Sequence, residues 1–460
     1  MPASETSPLL DRESSQTFPD ISGVLSRLGD RVDRVSVEEF CPRGVGDVCK
    51  ETAFRLIVLL QSRARLRQQP SSDIWNHWAQ TKANAAELDR LSEQVNNVWV
   101  SFLDEYRTTG EIEQVLWTPF NVSQGGRTVR VVDLLDADCP SELIAHDLII
   151  LSLANLWKHG PSPDETVLRP ACTPRVLHAI DLATHLAYFG LLVSYVMHPP
   201  SRPIIFRAIL EYVGPREILL MVFSSSIFVR SWTLFNAPFV ITLLMFLSCL
   251  PSVPFPENAS FNVLLLCLAL HILQFHLPRA PSPLFLFKPY HTLPFAVFLA
   301  KGFSRLIFPI APISSRCSFW TFFTTPTLTI FTLLAPTPMQ TRTTVLFGFS
   351  GLIVAIGCSL FIFAVYGRGL DTPVSQWDTY SSTVGRKARV AFVRTVVSYA
   401  TPYTFPAPFS LLQAVLISWP SFVFTRLGFR LPFAQAEKVL WRMFVGPVGL
   451  LFAVIMLLMP

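Results

Sequence analysis

Long apolar blocks fill the chain from residue 176 to residue 460, and they constrain its fold more than any other feature. Examples are FVITLLMFLSCL, FNVLLLCLALHIL and VLFGFSGLIVAIGCSLFIFAV. About 20 apolar residues let a helix cross the roughly 30 Å of bilayer hydrocarbon with its backbone hydrogen bonds closed internally. The sequence therefore predicts an all-α protein whose second part is a polytopic membrane domain.

Charge divides the chain at nearly the same point. Of the 32 Asp and Glu residues, 25 precede residue 176, together with 18 of the 37 Lys and Arg residues. The first part thus carries a net charge of about −7 and the remainder about +12. We expect a disordered tail at residues 1–20 and a cytosolic helical domain of the linker type at residues 21–175.

The tail contains a short motif that is typical of sorting signals. Glu5, Leu9 and Leu10 fit the acidic dileucine pattern read by endosomal and vacuolar sorting adaptors. An incidental match in a polar tail is the alternative. No basic segment followed by an apolar core opens the chain, so we expect no cleaved signal peptide and a cytosolic N-terminus.

Helical periodicity and capping residues predict the core of the first domain. One helix is expected over residues 50–68, and another from Ser141 as N-cap to Gly160 as its stop. The side chains expected in this core are Phe54, Ile57, Val58, Leu60, Leu143, Ile144, Leu148, Leu151, Leu156, Trp75, Trp78, Trp99 and Trp157.

Six crossings are predicted within the membrane domain, residues 176–366. They lie at residues 177–198, 217–235, 237–255, 260–278, 306–335 and 342–366. The loop 279–305 carries four Lys or Arg residues and no Asp or Glu, which places it on the cytosolic side by the positive-inside rule. With a cytosolic N-terminus, six crossings return the chain to the cytosol.

The segment after the sixth crossing, residues 367–404, is polar again. Apolar side chains recur every three or four positions over residues 375–399, which predicts an amphipathic helix. Its basic residues are candidates for binding anionic lipids or for gating, with simple positive-inside anchoring as the alternative. They are Arg386, Lys387, Arg389 and Arg394.

Two apolar segments, 405–424 and 438–459, follow within residues 405–460, and we expect each of them to be broken by proline. We favour a re-entrant or interfacial membrane-associated pair for them over a seventh and an eighth crossing.

Motifs of catalysis are absent from the sequence. It has no glycine-rich phosphate loop, no His-Glu-x-x-His and no Gly-x-Ser-x-Gly, and its eight cysteines form no Cys-x-x-Cys pair. We therefore expect no enzyme activity, no cofactor, no metal site and no nucleic-acid partner. The histidines of the apolar blocks are expected to be packed, and Asp181 close enough to a membrane surface to reach it.

The chain from residue 306 onward resembles the membrane half of the fungal TRP-type vacuolar cation channels, the yeast vacuolar conductance channel family. PYTFPAPFSLLQAVLI (402–417) is similar to the segment that follows the pore in that family, and FFTTPTLTIFTLLAP (322–336) to the helix before the pore. RTTVLFGFSGLIVAIGCSLFIFAVYG (342–367) takes the place of its last pore-lining helix, and WDTYSSTVGRKARVAFVRTVVSYA (377–400) that of its post-gate helix.

This resemblance implies a cation channel subunit, with calcium a possible permeant ion, in the vacuolar or another internal membrane. It implies a homotetramer whose partners are membrane lipids and permeant cations. The residues that it places along the pore are Gly348, Gly351, Ile356 and Ser359.

A reduced pore loop separates the chain from that family. Only residues 336–341 join the fifth and sixth predicted crossings, although moving the fifth crossing to 293–312 would free 313–341. No Asp or Glu occurs from residue 258 to residue 370 on either assignment. A channel-like regulatory or structural membrane protein without conduction is the main alternative, and a lipid-handling membrane enzyme is a third.

Overall fold

The protein is almost entirely helical in the residues that the computed structural model describes. These are residues 20–28, 47–68, 77–122, 128–136, 138–160, 173–200, 213–230, 237–248, 253–255, 259–314, 375–400, 403–407, 409–427 and 433–458. The predicted all-α class is confirmed. Backbone contacts divide the chain into two units, Met1–Thr166 with Arg389–Ala400, and Val167–Ala388 with Thr401–Pro460.

The first unit consists of short and medium-length helices with one antiparallel strand pair, in which Phe120 faces Val129. Its elements are α1 Ile21–Leu28, α2 Val48–Gln68, α3 His77–Leu103, α4 Thr109–Trp117, β1 Phe120–Asn121, β2 Thr128–Val129, a 3-10 turn Val132–Leu134, α5 Ser141–Ala145 and α6 Asp147–His159.

Helix α2 is the centre of this unit. The run AFRLIVLL contains a single charged residue, and its apolar side chains are buried on every side of the helix. Leu56 and Leu59 are buried as well as the predicted Phe54 and Ile57, so the predicted set of core residues was too small. The helix itself, predicted over 50–68, is confirmed. A helix buried all round marks the middle of a core.

The helix predicted from Ser141 to Gly160 is in fact two helices. His146 adopts an extended conformation between them, and its imidazole accepts a hydrogen bond from the Leu148 amide. This break rotates α6, so that Leu148 and Leu151 are 37% and 64% exposed instead of buried. Their places in the core are taken by Ile149, Ile150 and Leu153.

Both ends of this helix pair follow from local chemistry. Gly160, with a φ of 74°, ends α6 as predicted, because glycine tolerates the left-handed region. Ser141 is the first helical residue and Pro140 precedes it, so the predicted N-cap was one residue late.

Tryptophans and a distant helix complete the core of the first unit. Trp99 and Trp157 are buried as predicted, whereas Trp75 and the side chain of Trp78 lie outside the described residues. The Trp157 ring contacts Phe392 and Tyr399 at centroid distances of 6.2 and 6.5 Å. Residues 389–400 therefore belong to this core, which the sequence did not predict.

The second unit contains the longer and more apolar helices. Its elements are α7 Pro174–Met197, α8 Pro215–Arg230, α9 Ala237–Ser248, α10 Ala259–His276, α11 Pro289–Ser314, α12 Ser382–Tyr399, α13 Phe409–Gln413, a π turn Ala414–Ser418, α14 Trp419–Arg426 and α15 Phe433–Leu458. Helix α12 is shared, because its residues from Arg389 onward belong to the first unit.

The first four predicted crossings coincide with α7, α8, α9 and α10. Among the described residues, two helices are long and apolar enough to cross a bilayer, Pro174–Met197 and Gln435–Met456. Helices α9 and α10 are apolar but short in their described parts. By length and composition alone, Pro174–Met197 and Gln435–Met456 are candidates for membrane spans.

The fifth crossing was predicted at 306–335, with 293–312 as the alternative, and the described helix agrees with the alternative. Residues 289–305, expected in a loop, form the first part of α11, which begins at Pro289 and reaches Ser314. Proline suits the first turn of a helix. The next turns have a buried face, which is formed by Leu293, Ala296 and Val297. The predicted crossing 342–366 lies outside the described residues.

The amphipathic helix after the sixth crossing also begins later than predicted. Residues Gln376–Asp378 form a 3-10 turn, and α12 starts only at Ser382. The Ser381 hydroxyl accepts a hydrogen bond from the Val384 amide at 3.2 Å, which fixes this start.

The prolines of the last two apolar segments do not interrupt their helices. Pro447 lies inside the 26-residue helix α15, and the stretch Phe409–Arg426 stays helical through its π turn. The predicted break in the segment 438–459 is therefore wrong.

A substitution at Gly385 tests the packing at the start of α12. An added Cβ would lie 2.7 Å from the Trp377 carbonyl oxygen and would also meet the Asp378 carboxylate. We expect Gly385→Ala to lower the free energy of unfolding by about 1–3 kcal/mol, measured by thermal unfolding of the detergent-solubilised chain. Gly190→Ala is the control, because nothing lies within 4 Å of a Cβ there. Equal melting temperatures for the two variants would contradict the packing.

The start of α6 should depend on pH through His146. Burial lowers the pKa of this imidazole, with Asp147 acting in the opposite direction. The unfolded chain then binds the proton more tightly, so the stabilisation is present above about pH 6.5 and is lost as the pH falls below it. We expect the protection factors of the amides at residues 148–150, which are corrected for the intrinsic pH dependence of exchange, to fall between pH 7 and pH 5. His146→Asn keeps a capping side chain and should remove this fall in protection.

Candidate functional site

A layer of polar side chains lies inside the helix bundle of the second unit. Each of these side chains is buried, although the surrounding residues are mostly apolar. They are His178, Asp181, Thr184 and His185 on α7, Ser224 and Ser226 on α8, Thr242 on α9, and His271 on α10. Buried polar groups cost free energy unless they are hydrogen-bonded, so this layer needs a structural or functional reason.

Helix α7 supplies one edge of this polar layer. Asp181, His185 and Tyr188 follow one another at helical spacing and therefore share a face of α7. The His185 Nδ1 atom lies 3.9 Å from Asp181 Oδ1 and 2.8 Å from the Asp181 carbonyl oxygen. The carboxylate and the imidazole are thus neighbours in the interior.

Helix α10 brings a second imidazole against the first. The rings of His185 and His271 are stacked, with centroids 6.2 Å apart and planes 11° from parallel. The Nε2 atom of His271 lies 3.4 Å from the His185 carbonyl oxygen. The ring of Phe239 on α9 meets both imidazoles edge-on at 5.1 and 5.2 Å.

A hydroxyl pair joins α7 to α9 next to these imidazoles. The Tyr188 hydroxyl donates a hydrogen bond of 2.7 Å to Thr242 Oγ1, and both side chains are fully buried. The Tyr188 ring also contacts His271 edge-on at 5.2 Å. The polar layer is therefore continuous across α7, α9 and α10.

The chemistry that this layer shows is hydrogen bonding. Within the described part of the chain, no three His, Cys, Asp or Glu side chains are grouped so that they could hold a metal ion. Aromatic rings pack directly against the imidazoles, so the site is a filled interior.

The prediction for individual residues of this layer was partly right. The histidines are packed, as expected; His178, for example, lies 2.9 Å from the Ser282 carbonyl oxygen through its Nε2 atom. Asp181 is only 1% exposed, so it does not reach a surface as predicted. The contact between His185 and His271 was missed, because residues 86 positions apart give no periodic signal.

Other charged residues of the apolar blocks have ordinary roles where they are described. Glu217 is buried near the start of α8 and forms an ion pair with Arg216 at 3.0 Å. Arg216 also donates to the carbonyl oxygens of Ser194 and His198, which ties the start of α8 to the end of α7. Glu211 and the side chain of Arg230 lie outside the described residues.

The four basic residues predicted for lipid binding or gating do not share one exposed surface. Arg389 is buried, and Arg394 forms an ion pair with Asp136 in the first unit. Lys387 is exposed and Arg386 is half-buried. Arg394 is itself 61% exposed beside Asp136, so burial excludes only Arg389 of the four from contact with a lipid headgroup.

The remaining predicted residues lie where the structure gives no description. The pore-lining candidates Gly348, Gly351, Ile356 and Ser359 are among them, as are Glu5, Leu9 and Leu10 of the sorting motif. These assignments remain predictions.

No protein-family model and no curated protein matches the chain. The likeness to vacuolar cation channels thus depends on the motifs quoted above. A functional assignment has to come from the physical chemistry of the described helices.

A double-mutant cycle tests whether the polar layer holds the bundle together. Tyr188→Phe and Thr242→Val each remove one partner of the 2.7 Å hydrogen bond. We expect the two losses in unfolding free energy to be non-additive by about 0.5–1.5 kcal/mol, measured by denaturant unfolding in detergent micelles. Additivity within about 0.3 kcal/mol would contradict a direct bond.

Proposed function

We propose that the second unit is embedded in a lipid bilayer and that the protein is a divergent TRP-like cation channel subunit of an internal membrane. The observation that carries this proposal is the order of elements along the chain. A four-helix bundle, α7–α10, is followed by α11, by the stretch 315–374 and by α12. The resembled channels have the same order, with the pore between their last two crossings.

The distribution of polar side chains in the second unit supports its membrane placement. Asp181, His185 and His271 are buried, whereas Leu186 and Leu244 are about half-exposed. A water-soluble bundle has the opposite arrangement, because it buries apolar groups and exposes charges. Ionisable residues of membrane proteins typically face the bundle interior.

The position of α11 favours the alternative placement of the fifth crossing. The described part of α11, Pro289–Ser314, agrees with the alternative placement of the fifth crossing at 293–312, which would leave residues 313–341 for a pore loop. A pore loop of ordinary length can be built from that stretch. Since it contains Arg316 and no carboxylate, ion selection would depend on backbone carbonyl and hydroxyl oxygens.

Helix α12 supports a gating role, because each of its ends has partners of its own. Near its start, the Tyr380 ring stacks on Phe298 of α11 at 5.0 Å, and Lys301 lies 3.5 Å from the Thr383 hydroxyl. In its second half, Phe392 packs against Trp157 in the core of the first unit. We propose that this helix transmits changes in the N-terminal unit to α11.

A non-conducting regulatory or structural membrane protein is the second candidate. It is favoured by the absence of Asp and Glu from residue 258 to residue 370, because acidic rings are a common means of attracting cations. Both candidates share the bilayer, the lipid partners and a cytosolic N-terminus. They differ only in conduction.

Glycine substitutions in the predicted pore helix separate these two candidates. Gly348→Leu and Gly351→Leu should each reduce the current of the liposome-reconstituted protein at least tenfold, because small residues allow close helix approach near a pore axis. Gly190→Leu is the matched control, since this exposed glycine of α7 has open space around it.

Three outcomes of this electrical recording are informative. Loss of current in both pore variants with a normal control supports the assignment of 342–366 to the pore. Unchanged current in both variants contradicts that assignment. A wild-type protein that inserts but carries no current favours the non-conducting candidate.

A further inference from the structure

The outward-facing side chains of the last two helices are predominantly apolar. Leu416, Trp419 and Phe422 are more than half-exposed on the stretch Phe409–Arg426. Met443, Leu451 and Val454 are similarly exposed on α15. Exposed patches made of several large apolar side chains are typically covered by another protein surface or by lipid.

Buried polar contacts tie the segment before these helices to the interior of the bundle. Residues 403–407 are not helical, and Thr184 near the middle of α7 donates a hydrogen bond of 2.6 Å to the Ala407 carbonyl oxygen. The Trp441 indole donates a bond of 3.0 Å to the Thr404 carbonyl oxygen. Thr184 is ten residues, or about 15 Å, from the start of α7.

This arrangement satisfies a strict requirement of membrane interiors. Non-helical backbone at membrane depth is tolerated only where protein groups surround it and satisfy its hydrogen bonds. Phe405 and Ala407 are both buried. Directly after them, the hydroxyls of Ser410 and Ser226 lie 2.8 Å apart in the same interior. Residues 405–407 thus lie inside the bundle, level with the middle of α7.

Helix α15 has the length and the charge distribution of a membrane span. Its 26 residues extend about 39 Å, and its charged residues are confined to Glu437, Lys438 and Arg442 in its first turns. At the other end, Ala453 packs against Val176 and Ile180 of α7.

We propose that the helices of residues 409–458 lie in the bilayer as part of the same body as α7–α10, with lipid acyl chains covering their outward faces. This inference rests on the proposed membrane placement of the second unit. It assigns lipid as the partner of residues 409–458 and the bilayer as their location. The sequence had left two alternatives for this segment, an interfacial pair or two full crossings.

Lipid fits this surface better than a second copy of the chain does. At 100° per residue, the most exposed apolar side chains of α15 cover an arc of roughly 160° of its circumference. A helix that pairs with one partner helix typically presents a narrower seam. The residues of the arc are Val439, Met443, Phe444, Leu451, Val454 and Ile455.

Photolabelling of the full chain in liposomes tests this inference directly. The probe is a phosphatidylcholine that carries a diazirine in its acyl chain, and the adducts are mapped by mass spectrometry. We expect adducts on peptides covering residues 409–427 and 439–456, and none on the α6 peptide 147–159. Labelling of α7–α10 without labelling of 409–458 overturns the inference but leaves the membrane proposal standing. An absence of labelling in both regions overturns the membrane proposal itself.

A matched pair of leucine substitutions provides the second test. Leu451 on α15 and Leu151 on α6 are exposed to nearly the same extent, 61% and 64%. We expect Leu451→Lys to reduce the yield of monodisperse, membrane-extracted protein at least fivefold, because a charge within hydrocarbon is costly. Leu151→Lys should leave the yield unchanged. Equal yields for the two variants contradict lipid contact at Leu451. Disulfide cross-linking of two copies through Leu451→Cys at high yield would replace lipid by a second chain as the cover.

Discussion

The second unit depends on one constraint, which is that a polar group in its apolar interior is costly unless it is hydrogen-bonded. The Tyr188 hydroxyl finds Thr242 on α9, and the Thr184 hydroxyl finds the Ala407 carbonyl oxygen. Because a buried donor or acceptor left without a partner costs about 1–3 kcal/mol, these contacts select one arrangement of helices among many that would bury the same apolar area. The second of these contacts joins segments 223 positions apart in the sequence.

Helix α12 belongs partly to each of the two units. Apolar residues of α12 beyond Arg389 pack with Trp157, whereas its first turns belong with α11. A segment that follows the predicted pore therefore completes the core of the N-terminal unit. An autonomous N-terminal domain at residues 21–175, as the sequence predicts, would lack that part of its core.

Most helices of this protein could be predicted from sequence, whereas their contacts could not. Apolar blocks and local signals such as Gly160 located α2, α7 and the end of α6, because they act within one or two turns. His146 interrupts a helix through a local hydrogen bond that periodicity does not report, and this rotated the predicted face of α6. The stacking of His185 on His271 depends on how α7 packs against α10, which no local pattern encodes.

Charge placement bears on the two functional candidates in opposite ways. The only buried carboxylate of α7 is Asp181, and it lies in the bundle beside an imidazole, whereas the stretch from residue 258 to residue 370 has none. In a tetramer, every charge of the proposed pore stretch would be repeated four times around the axis, so Arg316 would repel cations unless it faced away from the pore. Conduction would then require carbonyl and hydroxyl oxygens to supply all the attraction. A structural or regulatory role makes no such demand, and it uses the same bundle and the same shared helix.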